Sequence, residues 1–133
     1  VTRVVVPVRY PLSAHSTATL RAAVELARER EAELTVLHVD LYQEDGKVTR
    51  TDLKRAAERK LGRIERARYV VRRGFLVEQT ILDEVAAEEA DAVVIGRKQM
   101  GRWHRTLRSM LGEPDVATFL EEELDCELVV VDS

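Results

Sequence analysis

The chain has 133 residues, is 45% hydrophobic and 5% aromatic, and carries a net charge of −3. That length fits one domain, residues 1–133, with a core of Val, Leu and Ala side chains. No apolar run approaches the ~18 residues of a membrane span. The opening VTRVVVPV runs straight into a strand pattern, so no leader is expected. The single cysteine, Cys126, excludes an internal disulfide framework and suits the cytoplasm.

Val4-Val5-Val6-Pro7-Val8 is β-branched and bounded by prolines, which predicts a first strand. Ser13 and Ser16 offer capping oxygens to a helix whose apolar stripe is Leu20, Ala23, Val24 and Ala27 and which runs to about Glu31. Leu34 to Val39 predicts a second buried strand, and Tyr42 to Val48 a surface loop. Thr49 with Asp52 forms a capping-box pattern before a second helix striped by Leu53, Ala56, Ala57, Leu61 and Ile64. Tyr69-Val70-Val71 predicts a short third strand, with Gly74 marking the turn after it. Val77, Ile81, Leu82, Val85 and Ala86 predict a third helix, and Ala92 to Ile95 a fourth strand. Residues 96–113, rich in Arg, Lys and Gly, read as a loop closed by Gly112-Glu113-Pro114. Val116, Phe119, Leu120 and Leu124 predict a last helix, and Leu128 to Val131 a final strand.

Strands and helices thus alternate from end to end, which implies right-handed crossovers and a parallel sheet covered on both faces: an α/β, doubly wound, single-domain fold. A ligand of such a sheet sits beyond the carboxyl ends of the strands at the switch point, where residues 8–13 would meet residues 96–113.

Charge is unevenly spread. Residues 50–73 hold ten basic and three acidic residues, while residues 113–133 hold eight acids and no base. The bland reading is a solvated basic helix face and an acidic last helix. The sharper one is a surface for anions or for a complementary subunit.

Other chemistries find little support. His15, His38 and His104 stand in separate elements without metal-binding spacing, so no metal is expected. There is no nucleophile elbow, phosphate-binding Walker loop or acid cluster after the first strand. Trp103 lies among basic residues, but one aromatic is a weak nucleic-acid signal, so nucleic acid is not an expected partner and packing is the reading for Trp103. Cys126 reads as a small buried hydrophobe.

Five stretches together resemble the universal stress protein family. They are Val4 to Val8, Ser13 to Ala27, Leu34 to Val39 with its histidine, Ala90 to Gly96, and Cys126 to Val131. The resemblance covers nearly the whole chain, least distinctively at residues 42–68. It implies an open five-stranded sheet of order 3-2-1-4-5, and a homodimer paired through the last strand, here Leu128, Val129, Val130 and Val131. An apolar edge of that kind is a liability unless paired.

One branch of that family binds ATP through Gly-x-x-Gly, nine residues, then Gly-Ser or Gly-Thr. Here Gly96 matches the first glycine, Gln99 stands at the second, with Gly101 two positions later, and Gly112 lies three residues beyond the last. Glu113 replaces the hydroxyl, and Arg9 follows the first strand where ATP binders usually carry an acid. These changes argue against ATP, and no cofactor is expected. The cations Arg97, Lys98, Arg102, Arg105 and Arg108 nonetheless suit a phosphate-bearing anion held by side-chain charge. The resemblance therefore implies a cytoplasmic dimer acting in stress response by binding rather than dedicated catalysis. Two alternatives stay open. One is an ATP-binding member with weak hydrolysis, in which Val8, Arg9 and Val39 flank base and ribose while Gly96, Lys98, Gln99 and Gly112 approach phosphates. The other is an adaptor whose basic helix, residues 50–66, docks an acidic partner or nucleic acid.

Overall fold

In the computed structural model, the residues described are 1–44, 46–111 and 116–132. Along the chain run β1 (Arg3–Pro7), α1 (Ala14–Glu29), β2 (Glu33–Leu41), α2 (Arg50–Leu61), β3 (Ala67–Gly74), α3 (Val77–Glu88), β4 (Ala92–Gly96), α4 (Arg97–Leu111), α5 (Val116–Leu124) and β5 (Glu127–Val131). The strands form one parallel sheet of order β3-β2-β1-β4-β5. This is the doubly wound α/β fold and the strand order expected.

Side-chain alternation along the strands divides the core in two. Val4, Val6, Leu34 and Val36 pack with Leu20 of α1 and Leu53 of α2 on one face. Val5, Leu37, Val93 and Ile95 pack with Ile81 of α3, Trp103 of α4 and Leu120 of α5 on the other. Leu20, Leu53, Ile81 and Leu120 are fully buried, each contributing about 1.5–3 kcal/mol of transfer free energy. Successive helices therefore cross to opposite faces only where the chain passes from β3 to β4, and β1 and β4 flank the switch point.

Local chemistry explains the element ends. Ser13 Oγ accepts from Ser16 N at 3.1 Å and opens α1. Thr49 and Asp52 exchange two 3.0 Å bonds in a full capping box at the start of α2. Each helix-to-strand return passes through one left-handed residue other than glycine: Glu31, Arg66, Glu89 and Asp125 precede β2, β3, β4 and β5. Gly74, closing β3, has to be small, because a Cβ there would lie 2.0 Å from Thr80 Oγ1.

The expected elements are present, with shifted limits. β2 and β3 are longer than predicted, because pairing with a neighbour carries the ladder past the apolar run into Asp40 and Leu41, and into Arg72 and Arg73. α2 stops at Leu61, where Gly62 turns at φ 71°, yet Ile64 is still buried as part of the same core. The larger correction concerns residues 96–113. They were expected as a loop, but residues 97–111 are helix α4, which starts directly on the end of β4. Its apolar spacing, Met100 then Trp103, is one helical turn, and Trp103 is fully buried. Burial of that indole outweighs the ~1 kcal/mol that Gly101 costs inside a helix.

Cys126 is buried, and burial first, then the nearby Asp91, Glu127 and Asp125 carboxylates, push its thiol up to about 12. That is an inert structural cysteine. Among the described residues no helix is long and apolar enough to cross a membrane.

Candidate functional site

β1 ends at Pro7, which has no N–H to continue a ladder, and β1 pairs with β4 only through Val4–Ala92 and Val5–Val93. Above that short seam the two strands diverge and leave a cleft of ≈510 Å³. Its floor is made by Val8 and Val39. Its walls carry Arg9, Tyr10, Ser13, His15 and Ser16 from the β1–α1 segment, His38 of β2, and Gly96, Lys98, Gln99 and Arg102 of β4 and α4. Glu44 and Glu78 line it as well.

Most of these side chains are held. Val8 N donates to Leu37 O at 2.8 Å, which carries the β1 backbone past its last strand residue. His38 Nδ1 lies 3.1 Å from Val8 O, and since a carbonyl can only accept, Nδ1 is the donor there. Tyr10 packs edge-on to His38, with ring centroids 6.2 Å apart. Arg9 N donates to Ser16 Oγ at 3.1 Å, so the residue after β1 is tied to the first turn of α1. Lys98 Nζ is 3.4 Å from His15 Nε2, a contact between the first turns of α1 and α4.

Both helices thus begin at the cleft. Each first turn exposes unsatisfied backbone N–H groups and the positive end of a dipole. Neither α1 nor α4 has an acid in that turn to offset it. Arg9, Lys98, Arg102 and the His15 ring stand alongside, groups of the kind that hold an anion through side chains. A second cavity of ≈510 Å³ lies between β3 and α3, at the sheet edge and away from the switch point.

Of the residues expected in a site, Val8, Arg9, Val39, Gly96, Lys98, Gln99 and Arg102 line this one cleft. Arg97 and Gly101 do not. Arg97 instead pairs through Nε with Asp132, just after β5. Gly101 lies within α4 rather than in a phosphate-cradling loop. Gly112, with Glu113, lies outside the described residues. His15 and His38 were weighed in the sequence only as metal ligands, and Tyr10 was not singled out. The signal for His15 was its place two residues after the Ser13 cap, in the first turn of the helix that faces the strand termini. Among the described residues no cluster of three or more His, Cys, Asp or Glu is placed to hold a metal.

The geometry defines a doubly wound α/β fold with a cleft at its switch point lined by Arg9, Lys98 and Arg102. The family model described as the universal stress protein family matches residues 1–132, and the chain belongs to that family. No curated protein sequence matches it significantly. Solved structures share its fold at low identity. A universal stress protein family member from Burkholderia pseudomallei is 15% identical, with a TM-score of 0.65 over 99% of this chain and 96% of that one. One from Archaeoglobus fulgidus, in complex with dAMP, is 18% identical, with a TM-score of 0.57 over 98% and 97%. A universal stress protein in complex with cAMP is 14% identical, with a TM-score of 0.58 over 96% and 95%.

Proposed function

We propose that this universal stress protein acts by binding a phosphate-bearing nucleotide of monophosphate size, rather than by a dedicated reaction, and that its cations replace the glycine-rich triphosphate loop. The observation that carries this reading is the convergence of the α1 and α4 first turns on one cleft, with Lys98 set against His15 and Arg9 and Arg102 alongside. A volume of ≈510 Å³ lies within the range of small-molecule sites. The cAMP and dAMP bound by relatives of the same fold are ligands with one phosphate. Gln99 stands where ATP binders place their second glycine, which weighs against a triphosphate cradle.

Isothermal titration with AMP, cAMP, ATP and sulfate tests this. AMP or cAMP is expected to bind at micromolar concentrations, ATP no more tightly, and sulfate weakly. Lys98→Glu with Arg102→Glu should weaken the nucleotide about a hundredfold, the loss of two charge-assisted bonds. Absence of binding by every nucleotide at millimolar concentration would end this reading, and ATP binding far above AMP would return the triphosphate alternative.

We also propose that the protein is a homodimer joined through β5. That strand is an edge, paired only with β4, and Leu128 to Val131 are partly exposed. The acids at its two ends are compensated within the chain, Glu127 by a two-bond contact with Arg30 and Asp132 by Arg97. That lowers like-charge repulsion between two such edges meeting. Light scattering should give twice the chain mass, and Val129→Lys should halve it. A monomeric wild type across the micromolar range rejects the dimer.

A further inference from the structure

Phe75 is 70% exposed and Tyr42 50% exposed, and nothing in the folding of the chain accounts for leaving two rings in water. They are far apart in sequence but pack against each other at a tilt, with centroids 4.8 Å apart and planes inclined at 43°. The guanidinium of Arg73 lies 4.8 Å from the centre of the Tyr42 ring. The platform is fixed at two points: Tyr42 N donates to Gly74 O at 3.0 Å, and Gln43 Nε2 donates to Phe75 O at 3.0 Å. It crowns the carboxyl end of β3, the edge strand on the side opposite β5.

The helix beside β3 is dense in cations. α2 packs along β3 and presents Arg50, Lys54, Arg55, Arg59 and Lys60 to solvent. None of these five forms an ion pair within 4.0 Å among the described residues. The helix is 12 residues long, about 18 Å, which spans several phosphates. Arg73 alternates with Tyr69 and Val71, which pack in the core beneath α1 and α2, so it faces the same side as these cations.

We propose that this β3–α2 edge binds single-stranded nucleic acid, with bases stacking on Phe75 and Tyr42 and phosphates following the α2 cations. An acidic protein would use the cations but leaves the rings without a role, and a duplex hides the base faces that the rings would stack on. The overall charge of −3 does not oppose it. The acidic C-terminal region is centred on the other edge, about four strand spacings or ~19 Å away. At physiological salt the screening length is only ~8 Å. The rings at this edge do not line the switch-point cleft, so this surface is separate from the nucleotide site.

Fluorescence anisotropy with labelled 12-residue oligo-U and oligo-dT decides it. Binding is expected with a log–log salt slope of about −2 to −4, as for three to five neutralised phosphates on a single strand. Phe75→Ala should weaken binding about tenfold with the slope unchanged. Arg55→Glu with Arg59→Glu should weaken it and flatten the slope by about 1.4. Circular dichroism melts of these surface variants should match wild type. Preference for either sugar, or none, supports the proposal, since stacking and charge serve both. No binding in 50 mM salt would overturn it. So would polyglutamate binding as tightly as the oligonucleotides with Phe75→Ala silent, which would mark an acidic-protein surface. Displacement of the oligonucleotide by AMP would also overturn it, by placing the strand in the cleft.

Discussion

Truncating Trp103 to alanine is expected to cost about 3–5 kcal/mol of stability. Trp103 is the only tryptophan and is fully buried among Val5, Ile81, Ile95, Val116 and Leu120. Removing it leaves a large cavity where α4 packs on the sheet, so the loss combines transfer and cavity terms. Among the described residues its indole Nε1 has no hydrogen-bond partner, so Trp103→Phe should cost well under half as much. Urea unfolding followed by far-UV circular dichroism measures both. A loss below ~1 kcal/mol for the alanine variant would show that α4 is not held this way. Function should follow packing: with its anchor gone, α4 no longer fixes Lys98 and Arg102 at the cleft, and anion affinity should drop even at temperatures where the alanine variant is folded.

The second large effect is expected at a pair of acids beneath α3. Glu84 and Glu88 are one turn apart on the buried face of that helix. Glu84 Oε1 accepts from Arg72 Nε at 2.7 Å. Glu88 Oε1 accepts from Thr35 Oγ1 at 2.7 Å and lies 2.9 Å from Arg68 Nη2. As a carboxylate oxygen, Glu88 Oε2 is buried without a donor among the described residues. Carrying a proton, it can donate to Glu84. Burial first, and then this bond to Glu84, raise the Glu88 pKa. For Glu84 burial pushes upward too, but the bonds from Glu88 and Arg72 outweigh it and hold that carboxyl below its usual range.

The two groups pull in opposite directions with pH. Glu88, raised in the folded state, contributes stability that is complete below the ordinary glutamate value near 4.5 and is lost as pH climbs through its folded pKa. Glu84, lowered, contributes stability above that value, lost as acid protonates it. Glu88→Gln mimics the protonated form, and should remove the decline above pH 4.5 while keeping the fold. Glu84→Gln leaves Arg72 facing a neutral group and should cost about 1–3 kcal/mol near neutrality. Melting temperatures from pH 4 to 8 for the three proteins decide it, and a Glu88→Gln curve parallel to wild type would remove the shared proton.

What could be read in advance followed the strength of the local signal. β-branched runs such as Val4 to Val6 and Ala92 to Ile95 marked the strands, because a parallel strand covered on both faces is apolar throughout. Ser13 and Thr49 marked helix starts, because their oxygens satisfy orphan N–H groups. The sheet order came through the resemblance. α4 was hidden by Gly96, Gly101 and a dense run of arginines that looks like a loop, although Met100, Trp103 and Leu107 keep helical spacing. The cleft drew together seven of the ten expected residues because they flank the ends of β1, β2 and β4. Arg97 pairs instead with Asp132, which follows the far strand of the sheet and is adjacent only in space. The Glu84–Glu88 pair gave no sign for the same reason: its partners Thr35, Arg68 and Arg72 come from β2 and β3.

The short seam between β1 and β4 has a mechanical consequence. Five residue pairs join β1 to β2 and another five join β4 to β5, but two join β1 to β4. The seam is therefore the least hydrogen-bonded line of the sheet, and α1, packed on both β1 and β4, bridges it. A nucleotide in the cleft would touch α1 and α4 together, and so would act as a further staple across that line. Occupancy would then be felt as resistance of the two parts of the sheet to being pried apart, without either changing shape.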